Sequence, residues 1–349
     1  MQIIELLTPA YESAWLPWAV QYFFLVGICT GAALTAAVCA FGHAGSSAAR
    51  LLPAAVVVLA ASAAAAPVSL LADLHQPARF WHFYAHFTPW SWMSVGAYLL
   101  PAFVMLAFAF CAAWWLGWRT LLRVLAVLMA LAALSVMVYT GAEIMVVRAR
   151  PLWNTVFLPI NLALTGWMAA LGAMLVVARW LPGGLAALPA QLLRTLSLAA
   201  AWLLVAAVAL WVGMGMASDA PSYLAARRLF TDFSVWRLSM LGSVLAGIAV
   251  MLWLQRPAHT LTKPMASLGL GLMMLAAAWV FRWALFMGVQ GVPKFGAGLY
   301  VYSMPLGGDG LLGMVGVFGL CVALLAAITL ALEYFPARMA PLHPGAAAA

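Results

Sequence analysis

Nine stretches of mainly apolar residues divide this chain, falling at about 18–41, 51–72, 91–115, 121–147, 155–179, 192–216, 236–254, 265–289 and 311–333. Each is close to the roughly 20 residues a helix needs to cross the hydrocarbon core of a bilayer. Inside hydrocarbon every backbone N–H and C=O must be satisfied within the protein, which restricts such runs to helices. The chain is therefore read as an all-α polytopic membrane protein with about nine transmembrane helices. Composition agrees, since 67% of the 349 residues are hydrophobic and 7% are charged, against roughly 45–50% apolar residues in soluble domains. The net charge of +8 suits contact with an anionic lipid bilayer surface. No basic tract with interleaved aromatics marks a nucleic-acid partner.

The chain changes sides with every span, so the long connections 73–90, 217–236 and 290–309 share one face with the N-terminus. Short turns such as 42–50 and 117–120 lie on the other. Lys and Arg are split almost evenly between the two faces. The arginines of the elaborated face stand beside Asp73, Glu143, Asp219 and Asp232, as site residues would. The plain face is accordingly placed in the cytoplasm, with the N-terminus periplasmic and the C-terminus cytoplasmic. Residues 1–17 carry Glu5 and Glu12 but no Lys or Arg, which points to an uncleaved first helix rather than a signal peptide. Short echoes suggest an internal repeat. Thr30-Gly31 matches Thr165-Gly166, and Phe87-Thr88-x-Trp90-Ser91 matches Phe230-Thr231-x-Phe233-Ser234. They predict a first four-helix bundle over 1–150, a second over 151–290, and a ninth helix with a C-terminal tail over 291–349.

Against this apolar background the polar residues gather at the elaborated face. Gln21 and Tyr22 open span 1, Asp73, His75 and Arg79 follow span 2, and Tyr139, Glu143, Arg148 and Arg150 close span 4. Ionisable groups at membrane depth are costly and mark functional sites. Asp73 has two readings, a helix-end carboxylate in water or a proton-relay group at the membrane boundary, with His75 and Arg79 beside it. Tyr139 and Glu143 are four apart and share a helix face. Glu143 either pairs with Arg148 or Arg150 or lines a cavity. Gly27 and Gly31 have the spacing of close helix packing. Arg282, between Phe281 and Trp283, is the most deeply placed cation and is expected to face a buried position or a cavity. The cysteines Cys29, Cys39, Cys111 and Cys321 stand alone inside apolar runs, so they read as core residues and not as iron–sulfur ligands. The six histidines all fall in loops or at span ends, which argues against a membrane-embedded haem.

Several segments together resemble one family. Leu25-x-Gly27-x-x-x-Gly31 follows Gln21-Tyr22 in the first helix. Asp73-Leu74-His75-Gln76-Pro77-x-Arg79-Phe80-Trp81 resembles a D-L-x-R-P-x-R-F-W element. Pro89-x-Ser91-x-Met93-Ser94-x-Gly96 begins the third helix. Tyr139-Thr140-Gly141 and Arg150-Pro151-Leu152-Trp153-Asn154-Thr155 resemble a Y-T-G…R-P-x-W-N-T element. This is the pattern of the NrfD-type integral membrane subunits of polysulfide and tetrathionate reductases. The resemblance implies a haem-free anchor in the bacterial inner membrane, without an iron–sulfur cluster of its own. Such an anchor exchanges electrons between menaquinone or ubiquinone and a four-cluster iron–sulfur subunit. That subunit would dock on the 73–90 and 148–155 loops and be joined to a molybdopterin catalytic subunit. The resemblance assigns quinone binding to Tyr139 and, by approximate position, Gln21, and assigns proton movement to Asp73. Tyr22, His75 and Arg79 complete the candidate binding set, and Glu143 the candidate catalytic one. Two positions depart from the family pattern: the first helix has no His, and Gln76 stands where the family has Arg. Two other classes fit the same polar residues, a proton-coupled transporter and a purely structural anchor.

Overall fold

A computed structural model describes residue 15 and residues 17–74, 76–291 and 303–339. His75 and most of the 290–309 connection lie outside the described residues. Among those described, nine helices are long and apolar enough to cross a membrane: Pro17–Cys39, Ser47–Asp73, Trp92–Leu116, Arg119–Met145, Phe157–Trp180, Ala190–Ser218, Ser234–Leu254, Pro264–Gly288 and Leu311–Tyr334, here spans 1 to 9. Every expected span is present, and its ends fall within a few residues of those read from hydropathy.

The differences have local causes. Span 2 starts earlier than its apolar run because Ser46 caps it, its Oγ accepting from Ala49 N at 3.2 Å and so satisfying one of the orphan N–H groups of the first turn. Span 3 stops at Gly117, whose φ of +78° lets Trp118 N reach Ala113 O at 3.0 Å and Gly117 N reach Trp114 O at 3.2 Å. That paired closure suits a glycine just past a helix end and allows span 4 to begin almost at once. The 217–236 connection, read as a loop, contains a further helix, Pro221–Asp232. Its Ser222, Ala226 and Leu229 are buried while Arg227 and Arg228 are exposed. This two-sided pattern favours lying along the bundle rather than crossing the bilayer.

Span 1 is the axis of the molecule. Of its apolar stretch 83% is buried, against 6% for span 7. It packs against spans 2, 4, 5, 8 and 9. Its approach to span 5 is set by glycine: a Cβ at Gly166 would stand 2.9 Å from the Gly27 backbone, and one at Gly31 2.9 Å from Trp167 Cα. The backbones therefore touch, as small residues permit between membrane helices. Thr30 and Thr165, in the two echoing Thr-Gly pairs, each turn their hydroxyl back to a carbonyl four residues earlier, Val26 at 3.0 Å and Asn161 at 2.6 Å. The echo in the sequence thus sits where spans 1 and 5 cross. Spans 5 and 8 make a similar contact, where a Cβ at Gly172 would lie 2.9 Å from Gly271 O.

Candidate functional site

The end of span 4 and the start of span 1 meet inside the bundle. Tyr139 and Glu143 lie one turn apart on span 4, and Tyr22 comes from the second turn of span 1. Tyr22 is close enough to Tyr139 to interact with it, and Tyr139 to Glu143. Tyr22 and Tyr139 are 1% and 4% exposed. Even so, Tyr22 Oη and Glu143 Oε2 are buried with no hydrogen-bond partner. Buried polar atoms normally find one, and leaving a group unmatched costs about 1–3 kcal/mol. A cluster of two hydroxyls and a carboxyl group in this state is chemically equipped to donate to a carbonyl oxygen and to hand on a proton.

Asp73 connects the cluster to the elaborated face. It interacts with Glu143, and its Oδ1 accepts from Ala19 N at 3.2 Å. Ala19 is in the first turn of span 1, where N–H groups lack helical partners and the helix dipole favours negative charge. The carboxylate that ends span 2 therefore also caps span 1. Tyr139 is seated against span 3 at Gly96. A Cβ at residue 96 would overlap the Tyr139 ring and stand 2.5 Å from its hydroxyl oxygen. On the other side of span 4, a Cβ at Gly141 would lie 2.5 Å from Pro159 Cβ of span 5. Glycines on both flanks fix how span 4 presents Tyr139.

The other residues singled out from the sequence go elsewhere. Gln21 is buried but turns to span 9, its Nε2 donating to Met314 O at 2.9 Å while Oε1 has no partner. Arg79 is exposed, in the short turn Pro77–Arg79. Glu143 has Tyr139 and Asp73 as neighbours, while Arg150 is directed to span 8, its Nη1 donating to Val289 O at 2.9 Å. Trp153 likewise donates Nε1 to Leu285 O at 2.9 Å and stacks on Trp15 with ring centroids 5.3 Å apart. Trp15 is in turn clasped by Gln290, whose Oε1 accepts from Trp15 N at 2.9 Å and whose Nε2 donates to Trp15 O at 3.2 Å. Residues Ala284–Gly288 of span 8 form a π-helical stretch, which loosens the carbonyl ladder that Trp153 enters. The Arg150–Trp153 element is thus a clamp on the end of span 8, a role its spacing did not reveal.

Arg282 forms a second polar cluster, between spans 1, 5 and 8. It is 1% exposed. Its Nε donates to Phe23 O at 3.1 Å, Nη1 to Thr165 Oγ1 at 3.0 Å and Ala278 O at 3.2 Å, and Nη2 to Leu162 O at 2.9 Å. The carbonyls it reads on spans 1 and 5, of Phe23 and Leu162, lie one turn before Gly27 and Gly166, where no side chain covers them. A Cβ at Gly27 would stand 2.6 Å from Nη2. A narrow crevice beside it is lined by Thr30, Met137, Thr140 and Ala163 among others. Among the described residues no group of three His, Cys, Asp or Glu side chains is placed to hold a metal ion.

Comparison with known proteins gives two matches. The family described as Polysulphide reductase, NrfD, matches residues 7–294. A tetrathionate reductase subunit of Salmonella typhimurium (strain LT2) is 37% identical over 339 residues, covering 93% of this chain and 94% of that protein.

Proposed function

This chain belongs to the NrfD polysulphide reductase family, and from that premise we propose that it is the quinone-reactive membrane subunit of a respiratory molybdopterin/iron–sulfur oxidoreductase. In this reading it lies in a bacterial inner membrane with the elaborated face periplasmic. It passes electrons between menaquinone or ubiquinone and a four-cluster iron–sulfur subunit docked on the 73–90 and 148–155 loops, beyond which lies the catalytic subunit. The relative from Salmonella, itself part of a tetrathionate reductase, makes a reductase complex the natural assembly.

The observation that carries the reading is the buried cluster of Tyr22, Tyr139 and Glu143, in which the Tyr22 hydroxyl and one Glu143 oxygen have no hydrogen-bond partner. A quinone ring offers carbonyl oxygens and no strong donor, so it needs hydroxyl donors, and two buried tyrosines supply them. Two-electron quinone chemistry also moves two protons between the ring and water. Glu143 stands next to Tyr139 and within electrostatic range of Asp73, and Asp73 lies at the boundary with the loop face. Proton transfer needs such groups within hydrogen-bond reach of one another or linked by a water. Gln21 and Arg79 are outer members at most in this reading: the first donates to span 9, and the second is exposed on the loop.

The test compares two activities of the purified complex, one driven by quinol and one driven by an artificial donor that reduces the partner subunits directly. Tyr139→Phe removes one hydroxyl at nearly constant volume and is expected to slow the quinol-linked rate about threefold to tenfold, the worth of one hydrogen bond of roughly 0.5–1.5 kcal/mol. The artificial-donor rate stays at the wild-type level. Wild-type quinol-linked rates in both Tyr139→Phe and Asp73→Asn would leave the chain as a structural anchor, with the quinone handled elsewhere.

A further inference from the structure

Gly96 is where a third helix reaches the proposed site. Its neighbourhood is tight and specific. Every side chain begins with a Cβ, and a Cβ on residue 96 would overlap the Tyr139 ring and lie 2.5 Å from Oη. Ordinary carbon contacts need roughly 3.5–4 Å. Tyr139 is 4% exposed, so its ring cannot evade the clash by swinging into open space. Side chains hop between a few staggered positions and do not drift freely, so the available response is to tilt the ring or push spans 3 and 4 apart. Either moves the hydroxyl by on the order of 1 Å, more than a hydrogen bond tolerates, whose lengths cluster within a few tenths of an ångström.

The position of Gly96 in the chain gives the contact a second consequence. Two residues earlier, buried Ser94 accepts from Thr88 N at 2.9 Å through Oγ, tying the 73–90 connection to the first turn of span 3. Ser94 and Gly96 thus make one rigid start to the helix, with Ser94 holding the loop and Gly96 bearing on the tyrosine. Glycine is otherwise unfavourable inside a helix, by roughly 0.5–1 kcal/mol relative to alanine, and the three atoms nearest to a Cβ at this position all belong to Tyr139.

We infer that Gly96 is a positioning residue for Tyr139: by having no side chain it lets the Tyr139 ring pack against span 3 with its hydroxyl beside Tyr22. The inference rests on the quinone reading of the Tyr139 cluster and adds to it the residue that sets the donor's place.

The experiment is a double-substitution cycle in the intact complex, read with quinol and with the artificial donor. Gly96→Ala is expected to lower the quinol-linked rate at least threefold, with the artificial-donor rate unchanged; a general folding defect lowers both. If Gly96 acts through the hydroxyl, adding Gly96→Ala to Tyr139→Phe changes the rate by less than about twofold, within the scatter expected of independent effects, so that the two losses do not add. Multiplying effects in the double variant, or a wild-type rate for Gly96→Ala while Tyr139→Phe is slow, overturns this inference alone. A wild-type rate for Tyr139→Phe overturns the inference, and together with a wild-type rate for Asp73→Asn it overturns the quinone reading as well. If Gly96→Ala does not assemble, Gly96→Ala with Tyr139→Leu removes the ring it strikes. Recovered assembly supports the contact, and continued failure overturns it.

Discussion

Around Arg282 the guanidinium makes four hydrogen bonds to oxygens of spans 1, 5 and 8, whereas around Tyr139 the Tyr22 hydroxyl and one Glu143 oxygen make none. Both regions put polar groups inside a membrane bundle, where each unmet group is expensive. In the first, the protein meets the demand itself: glycines at 27 and 166 bare the carbonyls that the cation needs and bring the helices within reach. In the second, the demand is left open beside a carboxylate that leads to the loop face. A fully satisfied network rigidifies the helices it joins, and under the quinone reading the unsatisfied one is where a carbonyl oxygen would be received. The contrast separates the structural centre of the molecule from its proposed reactive one without reference to residue type, since both contain residues that sequence reasoning flags.

The contrast can be broken by substitution. Arg282→Ala is expected to have the largest effect: it removes the four bonds and leaves a hole where three spans meet, a loss on the order of 3–5 kcal/mol. Thermal unfolding of the detergent-solubilised complex should drop sharply, with quinol-linked and artificial-donor rates falling together. Gly166→Val comes next. Its side chain runs into the Gly27 backbone, and overpacking of this kind costs about 1–3 kcal/mol, again in both assays and in the melting midpoint. Tyr139→Phe reverses the pattern, with the quinol-linked rate down about threefold to tenfold and the melting midpoint unmoved. A drop in midpoint matching that of Arg282→Ala would erase the distinction between the two clusters. Asp73→Asn has a small effect on stability. Its amide oxygen can still accept from Ala19 N, and the charge lost at the start of span 1 is worth about 0.3–1 kcal/mol. Turnover should slow because the titratable group is gone, while assembly of the complex is kept.

The sequence made the spans legible because bilayer thickness fixes their length, and it made the pairing of Tyr139 with Glu143 legible because four residues is about one helical turn. Rotation about each helix axis was not legible. Gln21 and Tyr22 are neighbours in the chain, yet one faces span 9 and the other span 4, a difference of one helical step that depends on which helices surround span 1. Arg150 and Trp153 were legible as a motif but not as a clamp, because their acceptors, Val289 and Leu285, lie at and within the π-helical end of span 8, and nothing in hydropathy marks that end. Gly96 was visible within a quoted segment. Its meaning depends on a ring contributed by another helix. The helix at Pro221–Asp232 was hidden because its single apolar face lowers its mean hydropathy below that of a span.

The central claim, that the open cluster receives the quinone and the closed one does not, is tested most directly by photolabelling the intact complex with an azido-quinone and mapping the modified peptides. The account predicts label on the segments bearing Tyr22, Gly96 and Tyr139 to Glu143, suppressed by excess quinone and weakened in Tyr139→Phe. Quinone-suppressible label confined to the peptides around Leu162 and Arg282, with those of spans 1 and 3 unmarked, would contradict it.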